Sequence, residues 1–155
     1  MIHLGIVHGV IMHIELIGNS EQLITEDSFA IYKQCMYKPT YEAYSSKMIE
    51  YANDKNTKIF VCFIENKLVG IIVLKLTNWG YAELIGIAVC NSFQNKGIGS
   101  FLVKQSANKM ELCRITAETD DDAVGFYKKL GFDISKEIKH YANGKVVRYR
   151  CSLTL

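Results

Sequence analysis

Apolar and polar residues follow a helical period in four segments of the chain. Apolar side chains recur at three- and four-residue spacing in residues 26–37 and 41–52, and Lys38-Pro39 ends the first of these segments. The same spacing occurs in residues 97–110 and 120–130, and Gly131 supplies a C-terminal cap for the last one. The pattern therefore predicts four helices.

Seven further segments have the composition of β-strands. Branched and aromatic apolar residues are concentrated in them, and short polar turns separate neighbouring segments. Glu65-Asn66-Lys67 and Asn143-Gly144 are hairpin signals. The predicted strands are residues 13–17, 58–64, 68–76, 81–89, 112–117, 132–140 and 145–153.

The order of these elements, β-α-α-β-β-β-α-β-α-β-β, predicts an α/β (α+β) fold with a mixed, mostly antiparallel central sheet. The sheet is expected to have about seven strands flanked by about four helices, and a helix joins 81–89 to 112–117, so that pair is predicted to be parallel. With 155 residues and no linker, the chain is interpreted as a single domain over 1–155 with its core in 13–153. Residues 1–11 are either an extension or an additional edge strand.

Charge and composition disfavour several classes of function. The formal net charge is +2 without a long basic block, so no nucleic-acid surface is expected. No apolar run approaches the roughly 20 residues of a membrane span, and the first basic residue is Lys33, so neither membrane insertion nor a secretory leader is expected. Five cysteines without a C-x-x-C pair indicate a reducing, cytoplasmic setting. The four histidines lack metal-ligand spacing, so no metal is expected.

The segment from Ile87 to Ser100 carries the clearest sign of ligand binding. An apolar strand end leads into a short polar loop, and Gly97 and Gly99 then open a helix. Glycines let backbone N–H groups approach a ligand closely, and a helix start offers unpaired N–H groups and partial positive charge. The segment therefore predicts a phosphate-bearing ligand. A Rossmann site is disfavoured because the third glycine is missing, and no P-loop sequence occurs.

Two motifs in this chain resemble those of the GNAT superfamily of acyl-CoA-dependent N-acyltransferases. The first is the loop Gln94-x-x-Gly97-x-Gly99. The second is Asp120-x-x-Ala123-x-x-Phe126-Tyr127-x-x-x-Gly131-Phe132, which is similar to the family's N-x-x-A-x-x-F-Y-x-x-x-G-F helix. The motifs span residues 81–132, and the order of elements extends the resemblance over 13–153. Asp120 departs from the family's Asn, and helix capping alone is a sufficient reason for Asp there.

The resemblance implies that acetyl-CoA is the co-substrate and that its diphosphate rests on amides of the loop between strand and helix. The pantetheine arm is then expected along the strand end, where an amide near Val89 polarises the thioester carbonyl. Gly86 within that strand indicates a bulge or a close backbone approach. The residues assigned to the cofactor are Ile87, Ala88, Val89, Gln94, Asn95, Lys96, Gly97, Ile98, Gly99, Ser100 and Asp120.

Tyr127 and Glu83 are the candidate catalytic residues. The resemblance implies that Tyr127 is the general acid that protonates the departing thiolate, although the residue also lies on a helical apolar stripe typical of a core. Glu83 is a carboxylate in an otherwise apolar strand, so it is either the base or a rim residue paired with a lysine. Glu118 is the reserve base. Some protein N-terminal acetylases of the family carry a carboxylate at the position of Ile115, which disfavours that substrate class.

These features predict an N-acetyltransferase that moves acetyl from acetyl-CoA to a primary amine by direct attack in a ternary complex, since no cysteine has an activating pattern. The alternatives are a non-catalytic domain that binds or senses acyl-CoA, and an enzyme that uses another acyl donor. The acceptor, a small-molecule or peptide amine, is left open, and a homodimer is only a family tendency. An aromatic acceptor wall is one interpretation of Tyr37, Tyr41, Tyr44, Trp79, Tyr81 and Tyr141.

Overall fold

The computed structural model describes residues 4–7 and 10–155, and within them eight strands form one sheet in the order β1-β2-β3-β4-β5-β6-β8-β7. Neighbouring strands are antiparallel except for β5 and β6, so the predicted parallel step is confirmed. The strands are β1 Leu4–Val7, β2 Val10–Leu16, β3 Thr57–Ile64, β4 Lys67–Asn78, β5 Tyr81–Val89, β6 Arg114–Thr119, β7 Asp133–Tyr141 and β8 Gly144–Thr154.

The amino-terminal strand β1 pairs with β2 at one edge of the sheet. Of the two interpretations left open for residues 1–11, the described stretch Leu4–Val7 is therefore an edge strand, and it raises the number of described strands from about seven to eight. Residues 1–3 and 8–9 lie outside the described part of the chain. The strand predicted at 13–17 corresponds to β2, which begins three residues earlier and ends at Leu16.

Four α-helices are described: α1 Glu26–Tyr32, α2 Tyr41–Asn53, α3 Ile98–Lys109 and α4 Val124–Lys129. The side chains of Thr25 and Thr40 accept the N–H groups of Ser28 and Ala43, and these caps start α1 and α2. The first helix is shorter than predicted, because a 3-10 turn at Lys33–Cys35 replaces its last turn. The four predicted helices are all present.

Glycine ends α4 as predicted. Gly131 has a φ of 93° and donates its N–H to the Lys128 carbonyl, and Phe132 donates to the Tyr127 carbonyl. This pair of bonds is a Schellman cap, which satisfies two carbonyls at the helix end. The cap directs the chain into β7.

Tight turns join β3 to β4 and β7 to β8, as the hairpin signals predict. Glu65 and Asn66 both have positive φ, the geometry of a type I′ turn. In the second hairpin Tyr141 pairs with Gly144, so the two loop residues are Ala142 and Asn143 and the glycine is the first residue of β8. The hairpin is confirmed, with its turn one residue earlier than an Asn-Gly loop.

Two apolar clusters lie on opposite faces of the sheet. One packs α3 and α4, through residues such as Leu102 and Tyr127, on one face. The other packs α1 and α2, through Tyr32 and Tyr44, on the opposite face of β3, β4 and β5. The helices therefore cover both faces around β5, and this strand brings the predicted site residues into the centre of the fold.

Candidate acyl-CoA site

A gap opens in the sheet where β5 and β6 separate. Their pairing covers only Tyr81 to Glu83 of β5, and from there β6 continues against β8. In an antiparallel strand the N–H and C=O groups of one residue point to the same side, and those of the next residue point to the opposite side. Cys90 donates its N–H to the Val69 carbonyl of β4, so the backbone groups of Val89 and Ile87 point away from β4, into the gap.

A bulge lies at the start of this gap. Val73 pairs with Gly86 and Leu74 pairs with Leu84, so Ile85 is the extra residue of β5. A Cβ atom at Gly86 would overlap the Tyr32 hydroxyl and lie 2.8 Å from Tyr32 Cζ. Both predicted reasons for this glycine, a bulge and a close approach, are therefore confirmed, although the approach is that of a side chain.

Two glutamines hold the open end of β5. The Nε2 atoms of Gln34 and Gln94 donate to the Val89 carbonyl at 3.0 and 3.2 Å. Gln94 Nε2 also contacts Gln34 Oε1 at 2.9 Å and Asn91 Oδ1 at 3.1 Å. The predicted loop residue Gln94 thus orders the strand end, and its partner Gln34, 60 residues earlier, carries no signal in the local sequence.

Helix α3 begins at the same place with unpaired backbone donors. Gly97 is its N-cap with φ 81°, Asn95 has φ 61°, and no side chain caps the helix. The first carbonyl bonded within this turn is that of Gly97, which accepts from Phe101. The N–H groups of Ile98, Gly99 and Ser100 therefore lack intrahelical acceptors, which makes this helix start suited to an anion.

A close contact explains the second glycine of the loop. A Cβ atom on Gly99 would lie 3.2 Å from Cζ of Phe126, so the aromatic ring of α4 sits directly against the α3 backbone. A larger side chain there would push α4 away from the helix start. The two motifs, distant in sequence, therefore contact each other at this point.

The gap, the start of α3 and the face of α4 enclose one pocket of about 1050 Å³. All the residues assigned to the cofactor line it except Lys96. Its walls come from both faces of the sheet, since α3 and α4 lie on one face whereas Glu118 and Arg148 point to the other. The lining residues absent from the sequence assignment include Gln34, Cys35, Met36, Ile85, Phe93, Thr119, Asp122, Lys129, Leu130 and Arg148.

Lys96 lies outside the pocket lining. Its Nζ atom sits 5.3 Å from the centroid of the Phe93 ring, a cation–π contact that holds the side chain on the loop surface. Its assignment to the cofactor stays a prediction that no contact of the pocket wall supports.

Tyr127 is a buried tyrosine at the pocket wall. Its ring contacts Phe126 and Phe132 edge to face at 5.5 and 5.4 Å between centroids. Burial, with smaller effects from Cys35, Cys151 and Asp120, raises the pKa of this phenol well above its ordinary value. The hydroxyl has no hydrogen-bond partner among the described residues. The side chain is therefore both a member of the core, as the stripe predicts, and a protonated phenol facing the pocket.

Asp120 caps a turn rather than the helix itself. Helix α4 starts at Val124, four residues later than predicted, and its N-cap is Ala123. Asp120 Oδ1 accepts the N–H groups of Asp122 at 3.0 Å and Ala123 at 3.1 Å. The carboxylate thus shapes the turn before α4 and lies at the pocket wall. The predicted start at residue 120 is wrong because three turn residues precede the regular helix.

The two candidate bases have different surroundings. Glu83 is half-buried opposite Lys75 and beside Thr116, where β5 and β6 still pair, and it is not part of the pocket lining. Glu118 does line the pocket, but its Oε1 accepts from Lys139 Nζ at 2.8 Å and Arg148 Nε at 3.3 Å. These hydrogen bonds, that of Lys139 foremost, lower the pKa of Glu118, which makes it a weak base.

Cys35 lies in the pocket wall as a protonated thiol. Its Sγ atom contacts the Tyr32 carbonyl at 3.2 Å. The residue as a whole is exposed, but the local burial of its sulfur raises the pKa of the thiol to about 11. A thiol with that pKa is a poor nucleophile near neutral pH.

The proposed aromatic wall is reduced to one residue. Tyr37 is exposed and lines the pocket, whereas Trp79, Tyr81 and Tyr141 are exposed elsewhere. Tyr44 is fully buried and donates to the Leu23 carbonyl at 2.6 Å, so its inclusion was wrong. Tyr41 packs edge to face against Phe29 at 5.6 Å.

Two kinds of feature are absent from the described residues, 4–7 and 10–155. Within these ranges no group of three or more His, Cys, Asp or Glu side chains is arranged to hold a metal ion. No helix in the same part of the chain is long and apolar enough to span a membrane.

The model of the acetyltransferase (GNAT) family matches residues 24–132, which is more than half of the chain. This chain therefore belongs to the GNAT acetyltransferase family, as the motifs predict. Streptothricin acetyltransferase A of Bacillus subtilis (strain 168) is 30% identical over 106 residues, which cover 63% of this chain and 61% of that protein. The chain thus spans only about three fifths of the length of this relative.

Two solved structures that contain a coenzyme are similar to this chain. One from Bacillus anthracis str. Ames, in complex with acetyl coenzyme A, has 31% identity and a TM-score of 0.55, and the match covers 68% of this chain and 66% of that chain. A Bacillus subtilis acetyltransferase in complex with CoA has 23% identity and a TM-score of 0.65, with 93% of this chain and 99% of that chain covered. The second likeness shows the fold alone.

Proposed function

We propose that this chain is an N-acetyltransferase that transfers acetyl from acetyl-CoA to a primary amine by direct attack in a ternary complex. The observation that carries the proposal is the pocket itself. It joins the unpaired donors at the start of α3, the open side of β5 and the buried phenol of Tyr127 in one cavity. Membership of the GNAT family and the relative solved with acetyl coenzyme A support this donor.

The donor is held mainly by backbone groups. The N–H groups of Ile98, Gly99 and Ser100, with the left-handed residues Asn95 and Gly97 before them, suit the charged diphosphate of coenzyme A. The Ile87 carbonyl and the Val89 N–H face the gap and can pair with the amides of the pantetheine arm as an added strand would, whereas the Val89 carbonyl already accepts from Gln34 and Gln94. The N–H of Val89 is the donor proposed to polarise the thioester carbonyl.

The chemical step needs an acid beside the sulfur atom. The acceptor nitrogen attacks the carbonyl carbon, the new C–N bond forms, and the C–S bond breaks to leave a thiolate. Tyr127 gives its proton to this sulfur, and burial keeps the phenol protonated at neutral pH. Because burial also keeps Cys35 protonated, an acyl-cysteine intermediate is not part of the proposal.

We keep Glu83 as the proposed base, acting through water, because Glu118 is already paired with two cations. Glu83→Gln should lower kcat most near neutral pH and change the pH–rate curve, whereas Glu118→Gln should leave the shape of the curve intact. The pH–rate curves of both variants against the unaltered chain test this. An unchanged curve for Glu83→Gln would show that solvent or another group accepts the proton.

The decisive experiment uses the purified chain with acetyl-CoA and a panel of primary amines. Free thiol is measured as it is released, and mass spectrometry identifies the acetylated product. Calorimetry measures the affinity of the chain for CoA and acetyl-CoA in parallel. Acetyl-CoA binding without turnover on any amine would favour the sensing alternative, and absence of any CoA binding would contradict both. Succinyl-CoA and propionyl-CoA in the same assay separate the possible donors.

Assembly and location complete the proposal. We propose a cytoplasmic protein because its five cysteines are all unpaired thiols in the structure. A homodimer is proposed only from the tendency of the family. Light scattering coupled to size-exclusion chromatography would measure the oligomeric state directly.

A further inference from the structure

On the face of the sheet opposite α3 and α4, no described helix packs against β6, β7 or β8. Helices α1 and α2 pack against β3, β4 and β5, and their apolar cluster contains no residue of β6, β7 or β8. On that side β6, β7 and β8 present polar side chains instead of a packed layer. Cross-strand register places the following residues on this face: Glu118, Ser135, Glu137, Lys139, Val146, Arg148 and Arg150.

Five charged side chains on this face form three ion pairs. Arg150 Nε pairs with Glu137 Oε1 at 3.0 Å, which balances those two residues. The single carboxylate of Glu118 then faces both Lys139 at 2.8 Å and Arg148 at 3.3 Å. Three cations thus meet two carboxylates. The shorter contact is that of Lys139, so Arg148 is the less tightly paired of the two cations.

Arg148 is also the cation of this group that reaches the pocket. Arg148 and Glu118 line the cavity, whereas Lys139, Arg150 and Glu137 do not. The Arg148 contact with Glu118 is made through Nε. The two terminal nitrogens of the guanidinium are the part that binds a carboxylate through two parallel hydrogen bonds. This cation lies on the face opposite the start of α3, away from the backbone donors proposed for the coenzyme, and can bind an anionic group of the acceptor.

We propose that Arg148 binds a carboxylate of the acceptor, so that the acceptor class is an amine that also carries a carboxylate, such as an amino acid or a short peptide. This inference rests on the proposed acetyltransferase function. It separates carboxylate-bearing amines from polyamines, because a polyamine offers the Arg148 guanidinium no anionic partner. Glu118 has a supporting role, since its contact orients the guanidinium.

The test compares matched acceptors. Each amino acid in a panel is assayed beside its own primary amide, and glycylglycine beside glycylglycinamide, with spermidine as the polycationic probe. A charge-assisted pair of this kind is worth about 10- to 100-fold in kcat/KM. We expect at least one carboxylate acceptor to exceed its amide by about tenfold or more, mainly through a lower KM, and to exceed spermidine.

Variants on the same strand separate the role of Arg148 from general charge. Arg148→Gln should bring the ratio of kcat/KM for the carboxylate acceptor to kcat/KM for its amide close to one. Arg148→Lys should restore part of this ratio. Arg150→Gln is the matched control, because Arg150 lies on the same face but outside the pocket, and it should keep the full ratio. Unchanged melting temperature and CoA affinity in Arg148→Gln would show that its fold and donor site are intact.

The outcomes are distinct. Amines acetylated equally well with and without the carboxylate, a ratio that survives in Arg148→Gln, or a ratio lost equally in Arg150→Gln would each overturn the inference while leaving the acetyltransferase proposal in place. Turnover with spermidine alone would do the same. If no amine in the panel is acetylated, the proposed function itself fails, and the inference fails with it.

Discussion

Replacing Tyr127 by Phe removes one hydroxyl from a side chain that otherwise keeps its packing. The ring is held edge to face between Phe126 and Phe132, and a phenylalanine makes the same contacts. The hydroxyl has no hydrogen-bond partner among the described residues. We therefore expect the free energy of unfolding to change by less than about 1 kcal/mol, because no paired polar group is left behind.

Turnover should respond very differently. A positioned general acid contributes about 10²- to 10⁴-fold, so Tyr127→Phe should lower kcat by that factor, which is about 3–5 kcal/mol in activation free energy. Donor affinity should stay within about twofold, since the donors at the start of α3 are backbone groups that the substitution does not touch. The combination of lost turnover with intact stability and binding is the signature of an acid.

Tyr44→Phe is the matched control. Tyr44 is also buried, but its hydroxyl donates to the Leu23 carbonyl at 2.6 Å and lies outside the pocket. Its loss leaves that carbonyl unpaired, which costs about 1–3 kcal/mol and lowers the melting temperature by roughly 2–12 °C while kcat is kept. Thermal unfolding, calorimetry with CoA and thiol release on both variants complete the test. A Tyr127→Phe enzyme with unaltered kcat would refute the acid role.

Three other predictions follow from the same geometry. Gly97→Ala forces an L-residue into a φ of 81° and should weaken CoA binding, measured by calorimetry, about tenfold. Gly125→Ala is the control: this glycine lies in α4 with open space around it, so the substitution should leave CoA binding unchanged. Gly86→Ala should lower the free energy of unfolding by about 1–3 kcal/mol in urea titrations, because the buried Tyr32 ring must shift; an unchanged midpoint would contradict the close contact. Burial raises the pKa of Tyr32 and Tyr127 above that of an unfolded tyrosine, so both phenols stay protonated to higher pH in the folded state. The free energy of unfolding therefore keeps its full value below about pH 10 and falls above it. Each such phenol lowers the free energy of unfolding by up to about 1.4 kcal/mol per pH unit in this range. Melting temperatures measured from pH 8 to 11.5 should therefore decline less steeply in Tyr127→Phe than in the unaltered chain. Parallel curves would argue against a buried phenol.

Much of the fold is readable from the sequence because its signals are local. The hairpin between β3 and β4, the Gly131 cap and the four helices depend on residues within one or two turns of each other. The first residue of a helix is less predictable where the preceding turn has a similar amino-acid composition. The side chain of Asp120 satisfies two backbone donors in a turn, and this turn has the same composition as a helix start.

The residues of the candidate site likewise differ in whether a local sequence pattern marks them. The loop around Gly97 is recognisable because glycine spacing and strand-to-helix order lie in one short segment, and its residues other than Lys96 line the pocket. Gln34 contacts Gln94 across 60 positions, and Cys35 reaches the pocket from the opposite side of the sheet, so neither has a local pattern that marks it. Glu83 is an anomalous carboxylate in its strand, yet the register places it where β5 and β6 still pair, outside the cavity.

The amino-acid sequence by itself determines the periodic burial of each element, the glycines that allow backbone approach and the family to which the chain belongs, because these are encoded in spacings of a few residues. Only the tertiary structure decides that β5 separates from β6 after Glu83, that the Tyr127 side chain is buried at the pocket wall, and that Glu118, Lys139 and Arg148 meet from three strands. The register of distant strands sets these contacts. That register results from the simultaneous packing of both faces of the sheet, which no single segment encodes.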